Sequence, residues 1–158
     1  MYKVAVLTIS DKCSRGQRED KSGMIVQELA RGLPGEVIKY EIIPDERDMI
    51  KERLIDYCDN LKPDIIFTDG GTGFTKRDVT PEATKEVIEK EVPGIPEAMR
   101  IGCLKFTKRA MLSRAVAGIR GKTLIVNLPG SSRGAQESLE AILGGLPHGL
   151  DMIAEKEH

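Results

Sequence analysis

Residues 64–80 read DIIFTDGGTGFTKRDVT, a short β-branched run that empties into three glycines within four positions. The apolar part, DIIFT, has the composition of a buried strand. TPEATKEVIEKE, from Thr80, has the signature of a helix with Thr80 as N-cap and Pro81 at the first helical position. Glycine between them permits positive φ and lets backbone N–H groups approach a ligand, commonly an anion. A strand that passes through such a loop into a helix is a candidate phosphate cradle, and it sets the reading of the chain around it.

Upstream, KVAVLTI (3–9) reads as a buried strand, SGMIVQELARGL (22–33) as a helix with Ile25, Val26 and Leu29 on one face, and EVIKYEIIP (36–44) as a second strand ended by Pro44. Asp45 can cap a helix running to about residue 60. Downstream, residues 81–91 form a helix, and VPGIPEAMRIGCLKF turns at Pro93 and Gly94 before another helix near Pro96. AVAGIRGKTLIVN (115–127) reads as two strands joined at Arg120 and Gly121, one of them antiparallel to the rest. A last helix, about 133–155, carries Leu139, Ile142, Leu143, Leu146 and Leu150 inward, with Gly144, Gly145 and Pro147 set to kink or split it. The order is that of one α/β domain: three layers, a mostly parallel sheet with one antiparallel strand, and helices on both faces. Ligands in such domains sit at strand carboxyl ends. Here those ends are Ser10 and Asp11, Pro44 and Asp45, the 69–73 loop, and the NLPG turn.

Composition narrows the function. The 158 residues suffice for one domain with its own core. Lys and Arg number 24 against 25 Asp and Glu, a formal net charge of -1, so no global field holds a nucleic acid, and with no Trp and three each of Tyr and Phe there are few platforms for base stacking. Cys13, Cys58 and Cys103 form an odd set with no CxxC, which argues against a disulfide framework or a zinc site and for a reducing cytoplasm. No run approaches the roughly 20 apolar residues of a membrane span.

Several residues are candidates for chemistry. Lys76 and Arg77 can counter phosphate charge, and Asp78 can hold Mg²⁺, which prefers hard oxygen ligands; a cap or surface ion pair is the alternative for Asp78. Asp45, a carboxylate after proline, reads first as a helix cap, with its place at a strand end leaving a functional role open. Ser113 and Arg114 can contact an anion, and Asn127, Pro129, Gly130, Ser131 and Ser132 form a second turn suited to an oxyanion before the final helix. KEVIEKEV (85–92) reads as a solvated helix face. His148 and His158 lie in no metal or triad spacing, and no cysteine has a partner motif, so neither histidine acid–base chemistry nor a thiol nucleophile is supported. From residues alone this is a phosphate- and nucleotide-binding α/β domain of open chemistry.

The longer string GGTGFTKRDVTPEATKEVIEKEVPG resembles the signature of the MoaB/Mog family of molybdenum cofactor biosynthesis, which includes molybdopterin adenylyltransferases and the G domain of gephyrin. TISD (8–11), IIPDE (42–46), MLSRAVAGIRGKTLIVNLPGS (111–131) and LPHGLDMI (146–153) are similar to family segments in the same order, so the resemblance spans nearly the whole chain, residues 1–158 forming one such domain. It implies transfer of AMP from Mg·ATP to the molybdopterin phosphate with release of pyrophosphate, mainly by positioning and charge neutralisation. Asp45 and Asp78 match the family's two functional aspartates, for which a role at Mg²⁺ or the reacting phosphates is the natural proposal. Ser113 matches a serine at the pterin-phosphate site. Gly70, Gly71, Thr72 and Gly73 match the phosphate loop, and Ser10 with Asp11 match the first-strand turn. A homotrimer is also implied, as is a separate molybdate-insertion protein to receive the product, since the chain ends soon after LPHGLDMI. Asp69 departs from the pattern, in which Thr or Ser precedes GGTG; a carboxylate there repels phosphate unless it turns away or reaches a cation. The rival readings are a non-catalytic molybdopterin-binding scaffold and a nucleotide hydrolase of the same fold.

Overall fold

The structure is a computed structural model and describes residues 1–156. Four apolar runs form its centre: β1 (Tyr2–Ile9), β2 (Gly35–Ile43), β3 (Ile65–Asp69) and β6 (Thr123–Leu128) lie parallel, with β5 (Ala117–Arg120) and β4 (Lys90–Glu91) completing a six-stranded sheet of order β2-β1-β3-β6-β5-β4. Every residue of β3 and β6 is buried, as expected of parallel strands covered on both faces. The hairpin turns at Gly121, whose φ is 59°, and β5 runs antiparallel to both neighbours, the one reversed strand the sequence calls for.

Around the sheet lie α1 (Asp11–Ser14), α2 (Lys21–Ala30), α3 (Arg47–Asp56), α4 (Thr80–Val87), α5 (Gly94–Leu104), α6 (Ser132–Ile142) and α7 (Leu146–Ile153). Two cores result. One packs Val4, Val6, Ile65, Phe67 and Leu124 against Val26, Met99, Leu139, Ile142, Leu146 and Leu150; the other packs Leu7, Ile9, Ile66 and Ile125 against Ile50, Leu54, Ala83 and Val87. Each fully buried aliphatic or aromatic side chain of this kind stabilises by about 1.5–3 kcal/mol.

The structure departs from the sequence reading at helix ends. Asp45 does not cap α3, which starts at Arg47 with Glu46 in the N-cap place and no side-chain cap, and which ends in a π-helical turn at Tyr57–Leu61. Thr80 is the first residue of α4 and Val79 takes the N-cap place. The helix stops at Val87, because residues 90 and 91 pair with β5, so the charges of 85–92 belong to a helix end and a sheet edge. The one-turn helix α1 and the 3₁₀ turn Lys108–Leu112 were not foreseen. The final helix does split, at a 3₁₀ turn Leu143–Gly145. His148 lies in α7, in a groove of the other sheet edge, and His158 lies outside the described residues.

One buried amide ties the sheet to its helices. Asn127 accepts from the Val116 amide at 3.1 Å and donates to the Thr68 and Thr84 hydroxyls at 2.9 and 3.0 Å. Asn127→Leu takes away the partner of the Val116 amide and of the buried Thr68 hydroxyl, while the Thr84 hydroxyl keeps its bond to Thr80 O at 2.9 Å, so the variant is expected to lose about 2–4 kcal/mol of stability, read as a lower urea midpoint at unchanged slope. A midpoint equal to that of the wild type sinks this account.

Candidate active site

The parallel strands bring their carboxyl ends to one rim. The Ser10 amide donates to Ile43 O at 2.9 Å, joining β1 to β2, and the Gly70 amide donates to Leu128 O at 2.9 Å, joining β3 to β6. Gly70 and Gly71 have φ of 110° and 73°, the left-handed region that favours glycine. Space demands it as well. A Cβ on Gly70 would lie 2.3 Å from Ile9 O, and one on Gly71 2.2 Å from the Thr80 hydroxyl.

Two cavities flank this loop. One, of about 750 Å³, is lined among others by Ser10, Asp45, Gly70, Gly71, Asp78 and Ser131; the second, of about 490 Å³, by Thr72, Gly73, Arg100, Ser113 and again Ser131. The sequence candidates therefore divide between two adjoining chambers with the glycine loop as partition. The N-termini of α2 and α6 both open on the first, and Ser131 caps α6 by accepting from the Gly134 amide at 3.0 Å. Helix N-termini favour negative charge by dipole and by unpaired amides.

Asp11 lines neither cavity; it positions Asp45. Asp11 N donates to Asp45 Oδ2 at 2.9 Å, and Asp45 N donates back to Asp11 Oδ1 at 3.0 Å. Arg77 binds both oxygens of Asp11 at 3.0 Å and reaches Glu46 at 2.9 Å, so its guanidinium is already committed to carboxylates. That guanidinium holds the Asp11 carboxyl below its usual range. Asp45 goes the other way: burial, then the charges of Asp11 and Asp78, push it up to about 6 against the pull of the Asp11 amide and Arg77. Asp78 accepts from the amide and hydroxyl of Thr75 at 2.9 and 2.8 Å, which fixes the carboxylate against Gly73.

Arg114, read from sequence as an anion contact, grips the loop instead. Its amide donates to Thr72 O at 3.1 Å, Nε to Gly73 O at 2.7 Å, Nη2 to Asp78 O at 2.8 Å and Nη1 to Glu82 at 2.6 Å. Asp20 and Ser22, on the cavity floor with Thr8 and Asp69, were also missed. The run DKSG (20–23) signals only the cap that Asp20 makes to the Gly23 amide at 3.0 Å. Asp69 is turned beneath the loop, 1% exposed, and accepts from the Ser22 hydroxyl at 2.6 Å.

A glycine loop, two helix N-termini and a pair of carboxylates at the carboxyl rim of a parallel sheet are the parts from which phosphate-binding α/β domains are built. Residues 5–148 match the molybdenum-cofactor-biosynthesis family described as "Probable molybdopterin binding domain", and the chain belongs to that family. It is 47% identical over 152 residues to the molybdopterin adenylyltransferase of Helicobacter pylori strain J99, covering 95% of this chain and 86% of that protein. It is 40% identical over 163 residues to gephyrin of Dictyostelium discoideum, covering 97% of this chain and 23% of that protein. Among solved structures, the molybdopterin biosynthesis enzyme MoaB of Thermus thermophilus superposes with a TM-score of 0.94 at 51% identity, covering 99% of this chain and 98% of that one.

Asp45 makes a pH prediction. Folding raises its pKa from 3.8 to about 6, so the folded state keeps this proton while the unfolded chain gives it up. Its contribution to stability therefore falls as pH rises from about 4 to about 6 and is level above. Asp45→Asn removes the penalty; at pH 7 the variant is expected to be more stable by about 1–2 kcal/mol, discounted for partial exposure, and to converge with the wild type below pH 4. Urea midpoints at pH 3.5 and 7 (roughly either side of that window) measure it, and an unchanged difference between the two rejects it.

Proposed function

We propose that this chain is a nucleotidyltransferase that moves AMP from Mg·ATP to the terminal phosphate of molybdopterin. The observation that carries the reading is the pair of chambers meeting at one glycine loop, with Asp45 and Asp78 on one side and Ser113 on the other. Two phosphorylated substrates meeting across a shared backbone partition is what such a transfer requires. A pterin-phosphate oxygen forms a bond to the α-phosphorus, the bond from that phosphorus to the bridging oxygen breaks, and pyrophosphate leaves. The names of the relatives support the same reaction.

In this scheme the amides of Gly71, Thr72 and Gly73 and the α6 N-terminus hold ligand phosphate, Gly70 shapes the loop with its own amide spent on Leu128 O, Ser10 and Ser113 donate hydroxyl hydrogen bonds, and Asp11 keeps Asp45 oriented. Asp45 and Asp78 fit a divalent cation. Asp45 meets the charge of Asp78, with Arg77 opposing it, and both carboxylates are hard oxygen donors. Among the described residues no group of three or more His, Cys, Asp or Glu side chains encloses an ion, so the two aspartates would share it with substrate oxygens and water. When bound, Mg²⁺ supplies charge neutralisation between the phosphates. Asp45 is ionised above pH 6 and available for that role at neutral pH.

The proposal carries the single domain over residues 1–158, a cytoplasmic setting and hand-over to a separate molybdate-insertion protein. No helix among the described residues is long and apolar enough to cross a membrane. It also carries a homotrimer; Ile101, Leu104, Phe106 and Met111 are exposed apolar side chains of the kind a second copy covers.

Incubation with molybdopterin and Mg·ATP is expected to yield adenylylated pterin and pyrophosphate in equal amounts; pterin binding without product would make the chain a scaffold, and pyrophosphate or phosphate release without pterin a hydrolase. Asp78→Asn is expected to abolish transfer with the fold intact, and turnover near wild type in that variant removes Asp78 from the reaction. Arg114→Lys, which breaks the fork on Gly73 O and Asp78 O, is expected to lower kcat by about 10–100-fold at a retained melting temperature. Unchanged kcat would show the loop holds itself.

A further inference from the structure

The sheet has two edges, and they are unlike. β4 closes one with two residues, whereas β2 lies along the other for nine and pairs with β1 alone. A long free edge presents unpaired amides and carbonyls to any other strand, and proteins guard such edges with lysines and bulges. β2 carries one of each. Val4 pairs with Val37 and Ala5 with Lys39, so Ile38 is bulged out of the ladder, and from Lys39 to Ile43 the strand is regular. The Ser10 amide donates to Ile43 O, so that carbonyl points at β1. Backbone groups alternate along a strand; Lys39 and Glu41 therefore also face β1, and Tyr40 and Ile42 turn their amides and carbonyls to the open edge.

The helices stop short of this edge on both faces. On the α2 side a groove of about 970 Å³ is lined among others by Met24, Ile25, Val37, Ile38 and Tyr40, and on the α3 side one of about 720 Å³ by Lys39, Glu41, Arg53 and Tyr57. A further strand would find space for its side chains above and below the sheet. The charges along the edge are also unlike. Glu41 is held by Arg53 Nε at 2.8 Å and by the Tyr57 hydroxyl, while Lys39 is exposed and, among the described residues, takes part in no ion pair.

We propose that β2 pairs antiparallel with β2 of a second copy of this chain, about a two-fold axis at Tyr40, so that two six-stranded sheets become one. With Tyr40 opposite itself, the outward amide and carbonyl of each copy meet those of the other and exchange two hydrogen bonds. Lys39 then stands directly opposite Glu41 of the other copy, twice, as cross-strand pairs of opposite charge. Moving the axis by one residue sets Lys39 against Lys39 or Glu41 against Glu41 and turns their backbone groups away from each other. A lysine that repels other strands is in this one register complementary to its own. The edge lies across the sheet from α5, which packs on β6 and α6 and carries Ile101 and Leu104, so this contact does not compete with a homotrimer built there. Antiparallel pairing also points the two carboxyl rims in opposite directions, and neither copy covers the other's chambers.

The test needs neither pterin nor nucleotide, so its failure is separable from failure of the transferase reading. Sedimentation of the wild type, Lys39→Glu and Lys39→Arg is followed over a concentration series. The expected result is a wild-type mass that rises with concentration to double that of the Lys39→Glu protein, a dissociation constant for the doubling raised about tenfold or more by Lys39→Glu, and one close to wild type in Lys39→Arg. Isotopically light and heavy protein are then mixed and treated with a carbodiimide, which joins Lys39 Nζ to the Glu41 carboxyl carbon as an amide and takes up the water lost. Peptides with one light and one heavy strand, linked at Lys39 and Glu41, are expected in the wild type. Equal masses for all three proteins overturn the proposal, and so does a doubling whose mixed-isotope links join other residues.

Discussion

Gly70 is where the ends of three strands touch. Its amide holds the carbonyl that ends β6, its Cα hydrogens face the Ile9 carbonyl at the end of β1, and the chain of β3 turns there into the loop. A Cβ on Gly130 would itself lie only 3.2 Å from Gly70 Cα. Any side chain at 70 pushes the strand ends apart, and with them the aspartate from β2, the serine from β1 and the cap of α6. The geometry of every chamber wall therefore depends on a hydrogen atom standing where other residues carry a carbon.

The charge layout around that point is layered. Arg77 is drawn out of the first chamber and onto Asp11, and Asp11 in turn exchanges backbone bonds with Asp45. The outer carboxyl is stabilised in its ionised form and the inner one is not. An arginine turned into the chamber would pair with Asp45 and occupy its oxygens. Held on Asp11 instead, it fixes the aspartate's direction through the paired backbone bonds and leaves the Asp45 oxygens without a guanidinium on them. Below the loop the order repeats without an arginine: Asp69 and Asp20 are held by hydroxyls and an amide alone.

The alternation of strands and helices was legible because parallel strands buried on both faces write continuous apolar runs, and Asp45, Asp78, the glycines and Ser10 were legible because strand ends meet at one rim. Helix starts were not. Asp45 after Pro44 has the local grammar of a cap, and only a partner 34 residues away, Asp11, makes it something else. Arg114 was misread for the same reason: its acceptors are carbonyls of residues 73 and 78, and backbone carbonyls leave no trace in a sequence. The two-residue strand β4 was invisible because its pairing, not its composition, makes it a strand. Thr8 and Asp69 are ordinary strand residues until the register sets them side by side.

Ser113 and Arg114 are consecutive, so a single peptide unit separates a hydroxyl that faces the second chamber from a guanidinium that grips the loop of the first. The two chambers are therefore mechanically one part. A ligand that shifts Ser113 carries Arg114 with it, and the carbonyl of Asp78 follows. Such a linkage leaves little play between the chambers, because a displacement of either wall reaches the other through one peptide unit.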